Sequence, residues 1–296
     1  MTTNSQVARR LEELANLLEN QGANPFRVNA YRQGARAIAA LPEPVFDLYA
    51  REGIEGLDRI PGIGSRLAHA LRALVETGRL PMLERLRGEV DPVLLLQSVP
   101  GIGRIQAKRL HHDLGIDTLE ELESAAHDGR LASVAGFGSK RVAGIVDSLA
   151  SRLGRVRQVE AGGQCQVPIE ELLDVDREYR EAVRSGLLAT IPPRRFNPEK
   201  RTWLPILHTQ RGVRHYTAMF SNTARAHRLG TTHDWVILYQ DGESGAHQYT
   251  VITSHHGPLE GRRIVRGREA ECRELFERQD GGPAIPDQAH GVPQQL

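Results

Sequence analysis

The sequence predicts two folds in one chain, an all-α first half and a small α+β second half, and three observations carry that expectation. A Gly-apolar-Gly tripeptide recurs at Gly62-Ile63-Gly64, Gly101-Ile102-Gly103 and Gly136-Phe137-Gly138. Apolar residues keep helical spacing through the first 150 positions. After about residue 200, short runs rich in β-branched and aromatic residues replace them.

Val7, Leu11, Leu14, Ala15, Leu17 and Leu18 form one helical stripe, and Tyr31, Ala35, Ile38 and Ala39 form another, with Asn24-Pro25 marking the break between them. Each Gly-apolar-Gly sits between an apolar turn and a following helix that carries a small residue (Ala68, Ala107, Ala143). This is the pattern of a helix-hairpin-helix unit. The glycines permit a sharp turn and close approach to a ligand. The next helix then starts with free N–H groups and the positive end of its dipole, which suits a phosphate oxygen. The three units are expected over 54–82, 93–114 and 118–151, with Thr118-Leu119-Glu120-Glu121 as a capping-box start. The alternative for each hairpin is a structural corner whose glycines serve packing alone. The third lacks the proline of the first two but is followed by Ser139-Lys140-Arg141.

Ala161-Gly162-Gly163-Gln164 reads as a linker, and Ile169 to Leu187 as one more helix. Thr190 to Lys200 is proline-rich and irregular. Strands are expected at Trp203–His208, His215–Phe220, Trp235–Tyr239 and Gln248–Thr253, and a closing helix at Arg266–Arg278. The expected domains are therefore 1–88, a helical domain with the first hairpin; 89–157, a tandem helix-hairpin-helix domain; 158–168, a linker; 169–279, an α+β domain; and 280–296, a disordered tail.

Composition bounds the partners. The 296 residues are 25% charged with a net charge of +1, so attraction to a polyanion has to come from local placement of cations. No apolar run approaches the ~20 residues of a membrane span. The opening residues lead into a polar helix, so no signal peptide is expected. Cys165 and Cys272 imply no disulfide framework and fit a reducing cytoplasm. Arg104, Lys108 and Arg109 follow the second hairpin, Lys140 and Arg141 the third, and Arg152, Arg155 and Arg157 come next. Lysine occurs at positions 108, 140 and 200 alone, so most positive charge is guanidinium, suited to bidentate phosphate contacts or reflecting a GC-rich bacterial genome.

Asn24-Pro25-Phe26-Arg27-Val28-Asn29-Ala30-Tyr31-Arg32, Ile38, Leu57-Asp58-Arg59-Ile60-Pro61-Gly62-Ile63-Gly64 and Glu76-Thr77-Gly78-Arg79-Leu80 are similar to the N-terminal lyase-type domain of family X DNA polymerases, and residues 93–150 to the fingers region of that family. The resemblance implies DNA-backbone contacts at Gly62, Gly64, Arg66, Gly101, Gly103, Arg104, Lys108, Gly136, Gly138, Lys140 and Arg141. It further implies a 5′-phosphate grip by Arg27, Tyr31 and Arg66. No cofactor is expected beyond a monovalent cation at a hairpin.

Past residue 150 the resemblance stops. The family's palm holds two metals on an Asp-x-Asp strand, and the sequence offers Asp174-Val175-Asp176 within a helical, charge-dense pattern, where residues two apart diverge. The family's Schiff-base lysine falls at Ala70. Neither polymerase nor lyase chemistry is expected, and no catalytic or metal-binding residue is assigned.

The second half carries seven histidines between His208 and His256, in no zinc spacing. Arg225 and Arg228, on a short helix within Ser221–Gly230, together with Arg262, Arg263, Arg266 and Arg268 form either an anion surface or a solvated arginine-rich face. The expected function is non-sequence-specific binding to duplex, gapped or nicked DNA in bacterial repair, at the nucleoid in the cytoplasm and alongside repair proteins, with no membrane. The alternatives are a nuclease or phosphoesterase built on residues such as His208, His215, Asp234 and His247, or a protein-interaction adaptor.

Overall fold

The computed structural model describes residues 3–88, 92–153, 167–242 and 245–280. Most of the expected linker, the expected tail beyond Asp280, Cys165, Arg155 and Arg157 lie outside these residues.

The first unit is five helices, α1 (Asn4–Asn20), α2 (Pro25–Ala39), α3 (Val45–Asp58), α4 (Ser65–Thr77) and α5 (Pro81–Arg87). Thr3 and Gln6 close a capping box at the start of α1, and Val7, Leu11, Leu14, Ala15 and Leu18 are its buried stripe. Asn24 caps α2 through the Phe26 N–H at 2.9 Å, with Pro25 in the first turn. Leu67 of α4 presses onto α2 at Gly34, where a Cβ would lie 2.2 Å from Leu67 Cδ2, so a side chain at this position would force Leu67 to move.

The second unit is α6 (Pro92–Gln97), α7 (Arg104–Leu114), α8 (Leu119–His127) and α9 (Ser139–Arg152). The Thr118 hydroxyl caps the Glu121 N–H at 3.1 Å as expected, while the Glu121 carboxylate accepts from Asp117 N–H rather than from Thr118. This unit has its own apolar core, including Leu96, Ile102, Leu110, Leu122, Phe137, Ile145 and Leu149.

The third unit is an antiparallel six-stranded meander, β1 (Thr190–Ile191), β2 (Leu204–Arg211), β3 (Arg214–Phe220), β4 (Val236–Gly242), β5 (Gly245–Thr253) and β6 (Arg263–Val265), in the order β1-β2-β3-β4-β5-β6. Around it are α10 (Ile169–Ser185), α11 (Ala224–Leu229) and α12 (Glu269–Asp280). The expected strands are present and longer, and the short β1 and β6 were not anticipated, because two or three residues give no periodicity to read. The closing helix starts three residues later than expected, after Gly267 turns the chain with φ +82°.

One face of the sheet packs on α10. The Tyr179 hydroxyl donates to Pro205 O at 3.0 Å and accepts from Phe220 N–H at 2.9 Å, and Tyr216 donates to Glu171 at 2.5 Å. The opposite face meets the first helical unit, and a single apolar cluster runs from α1–α5 into the sheet. The 192–203 strap binds both helical units to the sheet domain. Arg194 N–H donates to Gly88 O at 2.8 Å, and Arg195 pairs with Asp117 at 2.5 Å.

Candidate nucleic-acid interface

In all three hairpins the central apolar residue (Ile63, Ile102, Phe137) is buried and the flanking glycines are exposed. Plugging the core with the middle residue fixes the turn while leaving backbone outermost, and the leading glycines Gly62, Gly101 and Gly136 have φ of +86°, +87° and +97°, a region costly for any side chain. Gly64 and Gly103 cap α4 and α7 with no side-chain bond and no acid in the first turn. The opening N–H groups of both helices therefore lack a side-chain partner.

The second and third hairpins are reciprocal. Arg141, three residues past Gly138, lies against Gly101, whose Cβ would sit 3.7 Å from Arg141 Cγ. Gln106, three residues past Gly103, lies against Gly136, 3.7 Å from its Cβ position. Arg141 also donates to Gly136 O at 2.5 Å. The equivalent residue after the first hairpin is the buried Leu67, which packs on α2 instead. Two hairpins thus form a pair and the first stands apart, a distinction the common tripeptide conceals.

Arg104, Lys108, Arg109, Lys140 and Arg141 are exposed on this hairpin pair and make no ion pair among the described residues. By contrast, Arg51, Arg59, Arg79 and Arg87 in the first unit each face a carboxylate. An exposed, unpaired cation keeps its charge available for an external anion.

The residues expected to grip a 5′-phosphate lie elsewhere. Arg27 is 6% exposed and forms an ion pair with Asp241 of β4, with its Nε left unpaired. Tyr31 donates to Met82 Sδ at 3.4 Å. Desolvation, with Asp241 adding, pushes its hydroxyl up to about 12. Arg66 donates to the Val213 carbonyl at the β2–β3 turn at 2.5 Å. The sheet domain therefore covers this face of the lyase-type unit. Arg85, 4.4 Å over the Tyr239 ring, joins the same interface.

His208 and His215 also face this interface. His208 bridges Gln21 Oε1 at 3.0 Å and Thr217 Oγ1 at 3.1 Å, and desolvation, reinforced by Arg27, pushes its imidazole down to about 3. Desolvation and then Arg27 and Arg66 lower His215 as well, against Asp241, which raises it. Strand register places His247 opposite Gln240, on the other side of the sheet from His215, which is opposite Asp241. Asp234 bonds Thr253 and Arg263 near α10. The four residues weighed for an enzymatic site do not converge. Among the described residues, no group of three or more His, Cys, Asp or Glu could hold a metal.

Asp174 and Asp176 lie on a helix, as their charge pattern implied. Asp174 pairs with Arg177 and Arg211, and the buried Asp176 with Arg263. Arg263 departs from the expected anion surface, because its guanidinium is taken up by Asp176 and Asp234. Arg268 is buried and bonds Glu271 and Val167 O, and Arg262 pairs with Asp280. Arg225 and Arg228 remain exposed, with Arg225 and Arg266 each 6.0 Å from the Trp235 ring. The sequence reading missed the pairing of Gln106 and Arg141 across the hairpins, at the same offset from the second glycine as the apolar Leu67 of the first. It also missed Asp241, for which no local signal exists.

Paired hairpins of this geometry mark the N-terminal half as helix-hairpin-helix domains, and comparison agrees. A helix-hairpin-helix domain model matches residues 2–80, and a SAM-like helix-hairpin-helix tandem model matches 93–151. The chain is 29% identical over 177 residues to the DNA polymerase/3′-5′ exonuclease PolX of Bacillus subtilis (strain 168), covering 59% of this chain and 28% of that protein. It is 26% identical over 123 residues to DNA polymerase lambda of Rattus norvegicus, covering 42% of this chain and 20% of that one. The N-terminal half thus carries helix-hairpin-helix domains and is similar to family X polymerases over about half the chain. The chain spans about a quarter of the length of these relatives. No helix among the described residues is long and apolar enough to cross a membrane.

Proposed function

We propose that this protein binds DNA through its backbone, without sequence specificity, and recognises gapped or broken DNA in a repair context without polymerase activity. The observation that carries the reading is the reciprocal pair of second and third hairpins, with exposed glycines beside five unpaired cations. Backbone N–H groups and guanidinium or ammonium groups recognise phosphate and do not read base edges. Ile105, 67% exposed between Arg104 and Lys108, offers an apolar contact to deoxyribose. The helix-hairpin-helix domains and the likeness to two DNA polymerases support DNA as the partner. Catalytic silence is supported by Ala70 at the lysine position and by the commitment of Asp174 and Asp176 to arginines.

Arg27, Tyr31 and Arg66 take part in phosphate binding in this reading only after Asp241 gives way, since the sheet domain covers them. The hairpin pair is the first contact, and the lyase-type face engages a DNA end second. Fluorescence anisotropy of the full chain with single-stranded, nicked, gapped and intact duplex DNA tests this. Tighter binding to gapped DNA that falls steeply with salt is expected. No binding to any form at low salt would overturn the reading.

A further inference from the structure

We propose that a groove between α10, β6 and α12 holds a single nucleic-acid strand by its phosphates, as a contact surface apart from the hairpins. The proposal rests on the DNA reading above and adds a second site to it. Arg177, Arg180 and Arg184 follow one another along a face of α10, and Leu173 and Phe276 give the groove an apolar lining. The Arg262 guanidinium lies 4.7 Å over the Phe276 ring. Asp176, the acid in the groove wall, is held by Arg263 at 2.6 and 3.0 Å, and Arg263 also pairs with Asp234.

The charge balance points to an external anion. Among the described residues no carboxylate pairs with Arg180 or Arg184, and Arg184 Nε donates only to the Arg180 carbonyl, at 3.3 Å. Like charges four residues apart on a helix repel, and no carboxylate among the described residues pairs with either to offset it. From Arg177 to Arg184 the helix rises roughly 10 Å, room along the groove for more than one backbone phosphate. A single strand rather than a closed duplex suits the groove, because Phe276 and Leu173 offer apolar surface to unstacked bases while the arginines track the backbone.

The test uses the full chain and three fluorescein-labelled DNAs, a single strand, a blunt duplex and a duplex with a single-stranded tail, each titrated over a KCl series. R180Q/R184Q should weaken binding to the single strand and the tailed duplex by about three- to tenfold and reduce the salt slope by about 1.4, because two phosphates are no longer neutralised. Blunt-duplex binding should be unchanged. K108Q/K140Q in the hairpins should weaken all three. Phe276→p-benzoylphenylalanine should photo-cross-link to the single strand. If the hairpin variant binds as the parent does while R180Q/R184Q loses the single strand, the hairpin reading fails and the groove stands. An unchanged single-strand slope in R180Q/R184Q, or an equal loss on the blunt duplex, would overturn the groove. So would loss of binding to phosphatidylglycerol vesicles in R180Q/R184Q with no cross-link to DNA.

Discussion

Arg27 of α2 and Asp241 of β4, 214 residues apart in the chain, form an ion pair that seals the first helical unit against the sheet. Arg27 is buried, and Asp241 is the carboxylate that faces its guanidinium. Asp241→Asn should therefore destabilise the fold by about 3–5 kcal/mol, the usual cost of stranding one member of a buried pair. An apolar double replacement, R27M/D241L, should cost less than that single change. Urea unfolding of the two variants against the parent measures both, and equal stability of Asp241→Asn and the parent would show that the pair is not a seal.

The same interface makes stability depend on pH. His208 has a folded pKa of about 3, below the ordinary 6.5, so the unfolded chain binds its proton first as pH falls. This stabilisation is complete above about pH 6.5 and is lost as pH drops towards 3. His215 shifts in the same direction. From pH 7 to pH 5, His208 alone should account for a loss of up to about 2 kcal/mol. His208→Gln should flatten that part of the profile, measured by urea midpoints at both pH values.

Salt dependence separates the cations on the hairpin pair from the rest. Every phosphate that a variant no longer neutralises lowers the slope of log K against log salt by about 0.9 on duplex DNA. Substituting Lys108, Arg109, Lys140 and Arg141 by glutamine should remove up to four such increments. The same change at Arg51 and Arg59, which are already paired with carboxylates, should leave the slope alone.

Domain autonomy follows from the two cores. Among the described residues the apolar cluster of the second unit draws on residues 93–153, so a 92–153 fragment should fold and bind DNA weakly. A 1–88 fragment exposes the surface that meets the sheet, and it should be less helical or prone to association. Circular dichroism and sedimentation of the two fragments decide this.

Schiff-base chemistry should be close to absent. Ala70 has no amine, and borohydride should trap little adduct with abasic DNA. An adduct at Lys108, Lys140 or Lys200 would contradict the assignment.

The hairpins, the helical first half and the four main strands were legible because their signals are local. A Gly-apolar-Gly turn, a 3.6-residue stripe or a β-branched run is set by neighbours within one or two turns of chain. The helical placement of Asp174 and Asp176 was readable for the same reason. Only the tertiary structure decided that the second and third hairpins face each other through Gln106 and Arg141 while the first packs on α2. It also decided which arginines stay free. Arg27 and Arg263 look in sequence like Lys108 and Arg141, yet each is taken by a carboxylate brought from far along the chain. Charge is a property of composition, but its availability depends on which opposite charge the fold places within a few ångströms, and that distance is not written in any local stretch of sequence.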